Sequence, residues 1–222
     1  MGKIKAGEEY MYSLQLRHLT KTIKGETVLQ DICAEMESGH IYGIVGENGS
    51  GKSMLFRAMA GLIRLDSGEL LVDGQEVKAG LPQVLRMGLV LENVGLQTDL
   101  NAMDNLQYLA KIRGCIGKTE IKAALQRVGL PPDNRKKIQT YSLGMRQKLI
   151  LTQALMEQPE ILLLDEPTNA LDEESVKRIH RILLEEKERG ALIVLTSHNR
   201  EDIEELCDTV YHMRAGILTL AE

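Results

Sequence analysis

The stretch Gly46-Glu47-Asn48-Gly49-Ser50-Gly51-Lys52-Ser53 constrains this chain more than any other. It fits the pattern G-x-x-x-x-G-K-[ST], and its flanks are those the pattern needs: the apolar, strand-like run Ile41–Val45 before it and a helical segment over residues 51–60 behind it. Glycines let the backbone curl so that successive N–H groups point inward, and a helix N-terminus adds partial positive charge. Such a loop is built to hold phosphate. Lys52 has the reach to meet β- and γ-phosphates, and the Ser53 hydroxyl is a ligand for Mg²⁺. A Gly-rich turn with an incidental lysine would need neither flank.

A second feature belongs to the same chemistry. Ile161-Leu162-Leu163-Leu164 is a continuous apolar run, as in a parallel strand buried on both faces, and it ends in Asp165-Glu166. Ligands of open α/β sheets bind outside the carboxyl ends of the strands. Asp165 is placed to hold Mg²⁺ through water, and Glu166 to orient and deprotonate an attacking water.

The remaining pattern sets the architecture. Residues 14–19 alternate, residues 28–36 read as a second strand, and residues 69–72 and 75–77 form a hairpin across Asp73-Gly74. From about residue 100 to 141 the signal turns helical. Met103, Leu106, Leu109, Ala110 and Ile112 make one apolar face, and Ile121, Leu125 and Val128 another. After Ser142, helices (142–156, 172–188, and a short one ending at Cys207) alternate with strands (161–164, 191–196, 209–213, Ile217–Leu220), which implies parallel strands with crossover helices. The fold class expected is α/β: a P-loop NTPase core with a parallel sheet, an N-terminal antiparallel β subdomain and an inserted α-helical subdomain. The core takes residues 13–92 and 157–220, the insertion residues 93–156, and residues 1–12 form an N-terminal arm.

Composition bounds the partners. At 43% apolar and 27% charged the chain is neither disordered nor collagen-like. A net charge of −5 and 3% aromatics argue against nucleic acid, which wants clustered basic surface and stacking platforms. Cys33, Cys115 and Cys207 are too scattered for a disulfide framework or a zinc site. No apolar run approaches the ~20 residues of a membrane span, and residues 1–12 lack the apolar stretch of a secretory signal.

Beside the phosphate loop and the acidic pair stand Tyr141-Ser142-Leu143-Gly144-Met145, Asn169-Ala170-Leu171-Asp172 and Thr196-Ser197-His198. In that order and spacing the five elements resemble the ATP-binding cassette (ABC) ATPase family from Ser13 to Leu220. The three further segments resemble its signature, its D-loop and its switch histidine. Ser142 also sits where a helix N-cap belongs, and an ordinary cap explains it equally well from the residues alone. The resemblance implies more: two copies pack head-to-tail, Ser142 and Gly144 of one copy close on the γ-phosphate held by the other, and Asp172 is a further nucleotide-binding residue. It implies that His198 contacts the γ-phosphate and supports Glu166. Catalytic roles then fall to Glu166, His198 and Lys52. His18, His40, His180 and His212 read as surface or packing residues.

Four positions depart from the family pattern. Ile23 stands where an aromatic ring usually stacks on adenine, a contact worth about 1–3 kcal/mol. Met54 replaces a common threonine but keeps its backbone N–H. Glu92 takes the usual glutamine position of the Q-loop, still able to meet a metal-bound water. Met145 replaces a common glutamine of the signature. None removes the base, the lysine or the metal ligands. The resemblance therefore implies an ATP-hydrolysing subunit of an ABC transporter, with ATP and Mg²⁺ as its ligands. It implies a homodimer closing around nucleotide and a separate membrane permease that places the subunit at the cytoplasmic membrane. The short signature is like that of bacterial exporters of peptides or antibiotics, and residues 92–105, with Val94, Leu96 and Leu100, are candidates for passing motion to the permease, although these three side chains read equally well as core. A soluble ABC ATPase of repair, translation or cofactor assembly is the alternative; the missing coiled-coil insertion and the single cassette count against it. A non-hydrolysing module would have lost Lys52 or Glu166, and a P-loop kinase would not need Ser142 or His198.

Overall fold

The structure, a computed structural model, describes residues 12–79, 87–91 and 95–221. Glu92 and Val94, and all of the N-terminal arm except Tyr12, lie outside the described residues. Among the described residues, ten strands form two sheets. The first is antiparallel, in the order β2-β1-β4-β5, from β1 (Ser13–Ile23), β2 (Glu26–Glu37), β4 (Ser67–Val72) and β5 (Gln75–Glu76). The second runs β10-β9-β3-β8-β7-β6, from β3 (Ile41–Val45), β6 (Met87–Val90), β7 (Ile161–Asp165), β8 (Leu192–Thr196), β9 (Thr209–Arg214) and β10 (Ile217–Leu220). Every pair in it is parallel except β9 with β10, which close as an antiparallel hairpin. That hairpin departs from the all-parallel expectation. Its two-residue connection, Ala215-Gly216, is too short for a crossover helix.

The apolar runs of β7 and β8 are explained by two cores. Successive side chains of a strand point to opposite faces. Ile161, Leu163, Leu192 and Val194 therefore pack with Leu55, Phe56 and Met59 of α1 (Lys52–Met59) and with Leu14, Leu16 and Met36 of the antiparallel sheet. Leu162, Leu164, Ile193 and Leu195 face the other way. They meet α2 (Ala102–Arg113), α3 (Lys118–Arg127), α4 (Leu143–Leu155) and α5 (Glu173–Glu188). The last helix, α6 (Arg200–Leu206), adds Leu206 to that second core.

Strict alternation along β1 would turn Leu19 away from Leu14 and Leu16, yet all three are buried. A bulge between Leu16 and Leu19 restores the face. His18 (φ 55°) and Asp31 (φ 51°) take left-handed backbone on the two paired strands, and His18 Nδ1 stands 2.7 Å from Asp31 Oδ1. One other expectation changes. Ile112 is 75% exposed, because it lies six residues from Leu106, well off the buried face of α2 that Leu106 and Ala110 share. Leu96 packs against the second core.

Strand β6 has no counterpart in the sequence reading, being only four residues long with a glycine inside. That glycine has a steric reason. A Cβ on Gly88 would fall 2.2 Å from the carbonyl oxygen of Ala154 on α4, so α4 presses directly on the edge strand. Gly88→Ala is expected to cost about 1–3 kcal/mol in urea unfolding, the usual penalty of overpacking. Stability equal to wild type would show that α4 does not seat this closely.

Candidate nucleotide site

Strand β3 delivers residues 46–51 to the edge of a cavity of about 810 Å³ at the carboxyl ends of the parallel strands. Gly51 (φ 110°) is the N-cap of α1, and a Cβ there would meet the Val28 carbonyl oxygen at 2.7 Å. Both the backbone angle and the close neighbour exclude a side chain. Gly46 is equally confined, since its Cβ would fall 2.2 Å from the Met213 carbonyl oxygen. Lys52 is buried, and its ammonium donates to the carbonyl oxygens of Gly46 and Glu47 at 2.6 and 3.1 Å. The loop thus folds around its own lysine, whose charge sits at the cavity wall. Ser50 Oγ is buried with no hydrogen-bond partner, an unmet group in a loop of inward-facing donors.

The acidic pair is organised by Thr196. Asp165 and Thr196 are register partners at the ends of β7 and β8. Thr196 Oγ1 donates to Asp165 Oδ1 (2.7 Å) and accepts from the Glu166 N–H (2.9 Å). Ser53 Oγ donates to the other Asp165 oxygen at 3.0 Å. Ser53 and Asp165 therefore set two hard oxygen ligands side by side on the cavity wall, a donor set suited to Mg²⁺. Glu166 has left-handed backbone (φ 52°), a conformation that costs a non-glycine residue of order 1–3 kcal/mol and persists only where its surroundings over-determine it. Here the N–H is held by Thr196, and the carbonyl accepts from Gln147 Nε2 and the Asn169 N–H. The Glu166 side chain accepts from the His198 N–H through Oε2 (3.1 Å). Its Oε1 is buried without a hydrogen bond, 3.4 Å from His198 Nε2.

Asn48, Gly49, Gly51, Lys52, Ser53, Met54, Asp165, Glu166 and His198 all line this one cavity. Ile23 does not: it lies at the end of β1, 36% exposed, and Val28 supplies the apolar wall instead. Glu92 lies outside the described residues. Ser142, Gly144 and Asp172 line a second concavity of about 450 Å³ together with Lys148 and Leu171. Ser142 is the N-cap of α4, accepting from the Met145 N–H, and Asp172 is the N-cap of α5, accepting from the Ser175 N–H. That bond from the Ser175 backbone holds the Asp172 carboxyl below its ordinary range. A Cβ on Gly144 would sit 2.7 Å from the Ala170 carbonyl oxygen, so the two segments are packed together.

The family description "ABC transporter" matches residues 29–169. The chain belongs to the ABC transporter family. It is 44% identical over 209 residues to YybJ, an uncharacterized ABC transporter ATP-binding protein of Bacillus subtilis (strain 168), over 94% of this chain and 96% of that protein. To the bacitracin transport ATP-binding protein BcrA of Enterococcus faecalis it is 35% identical, over 93% of this chain and 68% of the relative. A dimeric ATP-binding cassette in a post-hydrolysis state, bound to ADP and Pi, matches its fold with a TM-score of 0.85 at 22% identity, over 94% of this chain and 98% of the other.

Several residues around this ABC site carried no role in the sequence reading. Thr196 had a signal, as the polar end of a buried strand beside the one bearing Asp165. Gln147 had none, because only the packing of α4 aims it at the Glu166 and Pro167 carbonyls. Beneath the site, Asp202 on α6 accepts from Thr168 Oγ1 and Ser197 Oγ and faces His180 Nε2 at 2.7 Å. His180 Nδ1 faces Glu205 at 2.8 Å. The Asp202 hydrogen bond raises the His180 pKa against the opposing effect of burial. Burial alone would raise the Asp202 pKa, but the bonds from His180, Ser197 and Thr168 bring it below its ordinary value. His180 therefore stabilises the fold fully below its unfolded pKa of about 6.5, and that contribution is lost as pH rises through the raised folded value. His180→Gln should lower Tm most near pH 6, with the gap to wild type narrowing at higher pH; a gap independent of pH would contradict the pairing.

Proposed function

We propose that this ABC protein binds Mg-ATP in the larger cavity and hydrolyses it as one half of a head-to-tail pair of copies, driving a separate membrane permease. One observation carries the reading. Lys52, Ser53, Asp165, Glu166 and His198 line one cavity, whereas Ser142, Gly144 and Asp172 of the same chain line another. A second copy turned head-to-tail would bring the two sets together.

In this reading the backbone N–H groups of residues 46–51 and the N-terminus of α1 hold the phosphates, with Met54 adding its N–H. Lys52 exchanges its loop carbonyls for phosphate oxygens. Ser53, Asp165 and Glu92 would hold Mg²⁺, which when bound would supply positive charge against the phosphates. Glu166 takes the proton from the attacking water, held in place by Thr196, Gln147 and the His198 N–H. His198 presents its ring to the γ-phosphate. The Ser142 hydroxyl, the Gly144 N–H and the start of α4 act on the γ-phosphate held by the other copy. Val28 on the cavity wall, rather than Ile23, offers adenine an apolar cover in place of a stacking ring. Residues 92–105 are the path by which closure reaches the permease. Among the described residues no helix is long and apolar enough to cross a membrane, which fits a subunit that docks on one. The bacitracin transport and lantibiotic transport proteins among its relatives support export of an antibiotic-like peptide.

Glu166→Gln should lower ATP turnover by about 10²–10⁴ and trap an ATP-dependent dimer visible by light scattering. Unchanged turnover, or a monomer at saturating ATP, contradicts the reading. The shared pocket has its own test. Lys52→Ala and Ser142→Arg should each be inactive alone. Mixed in equal amounts they should recover about a quarter of wild-type turnover, because half of randomly formed twofold dimers are mixed and each keeps one complete pocket of two. No recovery would place both functions within one copy.

A further inference from the structure

Asp202 is 1% exposed, on a helix of seven residues, yet it carries a carboxylate where an apolar side chain would be far cheaper to bury. Its Oδ2 accepts two hydroxyl hydrogen bonds, from Thr168 Oγ1 at 2.5 Å and Ser197 Oγ at 2.6 Å. Its Oδ1 faces His180 Nε2, whose other ring nitrogen faces Glu205, so both ring nitrogens are set to donate, as in the protonated ring. The two hydroxyls come from places of consequence. Thr168 stands two residues after Glu166, and Ser197 immediately precedes His198. Asp202 is thus a single carboxylate tied to the segments that bear Glu166 and His198.

We propose that Asp202, braced by His180, is a positioning residue for ATP hydrolysis: it binds the segment after Glu166 to the segment before His198 and so sets where the carboxylate and the imidazole stand. The left-handed backbone of Glu166 needs such over-determination. Thr196 holds its N–H, Gln147 and Asn169 hold its carbonyl, and the chain leaving it is secured at Thr168. On the other side, Ser197 Oγ both donates to Asp202 and accepts from the Asn199 N–H, which fixes the turn that presents His198. Most of the proposed phosphate contacts lie elsewhere, at residues 46–54, so losing Asp202 disturbs the chemical step far more than nucleotide affinity.

This rests on Glu166 acting as the base, and the test separates the two. ATP turnover and fluorescent-ATP binding are measured on the purified full chain below the Tm of each variant. Asp202→Asn should lower kcat at least about tenfold while KM and the nucleotide Kd stay within about twofold, the pattern of a lost transition-state interaction. Thr168→Val should lower kcat in the wild-type background and add nothing to Asp202→Asn, since both act through one carboxylate. If Asp202→Asn does not fold, Thr168→Val and Ser197→Ala carry the same comparison: a kcat loss without a KM change supports the proposal. A kcat within twofold of wild type in a folded variant overturns it, as does a fall in Tm with kinetics unchanged. Glu166→Gln is the control. Full turnover there refutes the base itself, whereas loss there with Asp202→Asn unaffected refutes only the positioning role.

Discussion

Strands β7 and β8 lie side by side, run in the same direction and stop at the same level, which leaves Asp165 opposite Thr196. The rest of the site depends on that juxtaposition. One threonine hydroxyl spans the two strand ends, donating to Asp165 and receiving the Glu166 N–H. Asp165 is thereby aimed at Ser53 across the sheet, and Glu166 is turned into left-handed backbone that projects its side chain toward His198. The pairing is stable because both strands are apolar and covered on both faces, so a slip of one residue would move alternate side chains into the wrong core.

Helix α4 joins the two halves of the chemistry. Its first turn, with Ser142 and Gly144, packs on Ala170 and lines the smaller concavity. One turn on, Gln147 reaches the carbonyls of Glu166 and Pro167. Its last turn presses on Gly88 of the edge strand. A shift of this helix would alter both the backbone of the proposed base and the surface offered to a second copy. In the proposed reading, that would link hydrolysis to assembly.

Much of this was readable from residues alone, and the exceptions share a cause. The phosphate loop, the acidic pair, the capping role of Ser142 and the two apolar runs are local patterns, and they fold as read. The bulge at His18, the strand at residues 87–90 and the exposure of Ile112 are settled by partners distant in sequence, or by helix rotation that a loose hydrophobic count does not resolve. Val28 lines the cavity where Ile23 was expected, because the turn that joins β1 to β2 carries Ile23 outward. His180, read only as a surface or packing residue, is buried as an ion partner of Asp202 rather than an inert filler.

Spacing and side-chain chemistry were enough to mark out the glycine-rich turn around Lys52 and the acids Asp165 and Glu166 as the proposed site, since each depends on a few neighbouring residues with strong conformational preferences. Folding in three dimensions chose which hydroxyls, amides and carbonyls hold those groups. Thr196, Gln147 and Asp202 reach the site from separate elements, and hydrogen bonds between residues 19 to 34 apart in the chain leave no periodic trace in it. It also separated Ser142 and Gly144 from the loop around Lys52. That division arises from how α4 sits on the sheet, and no local pattern encodes it.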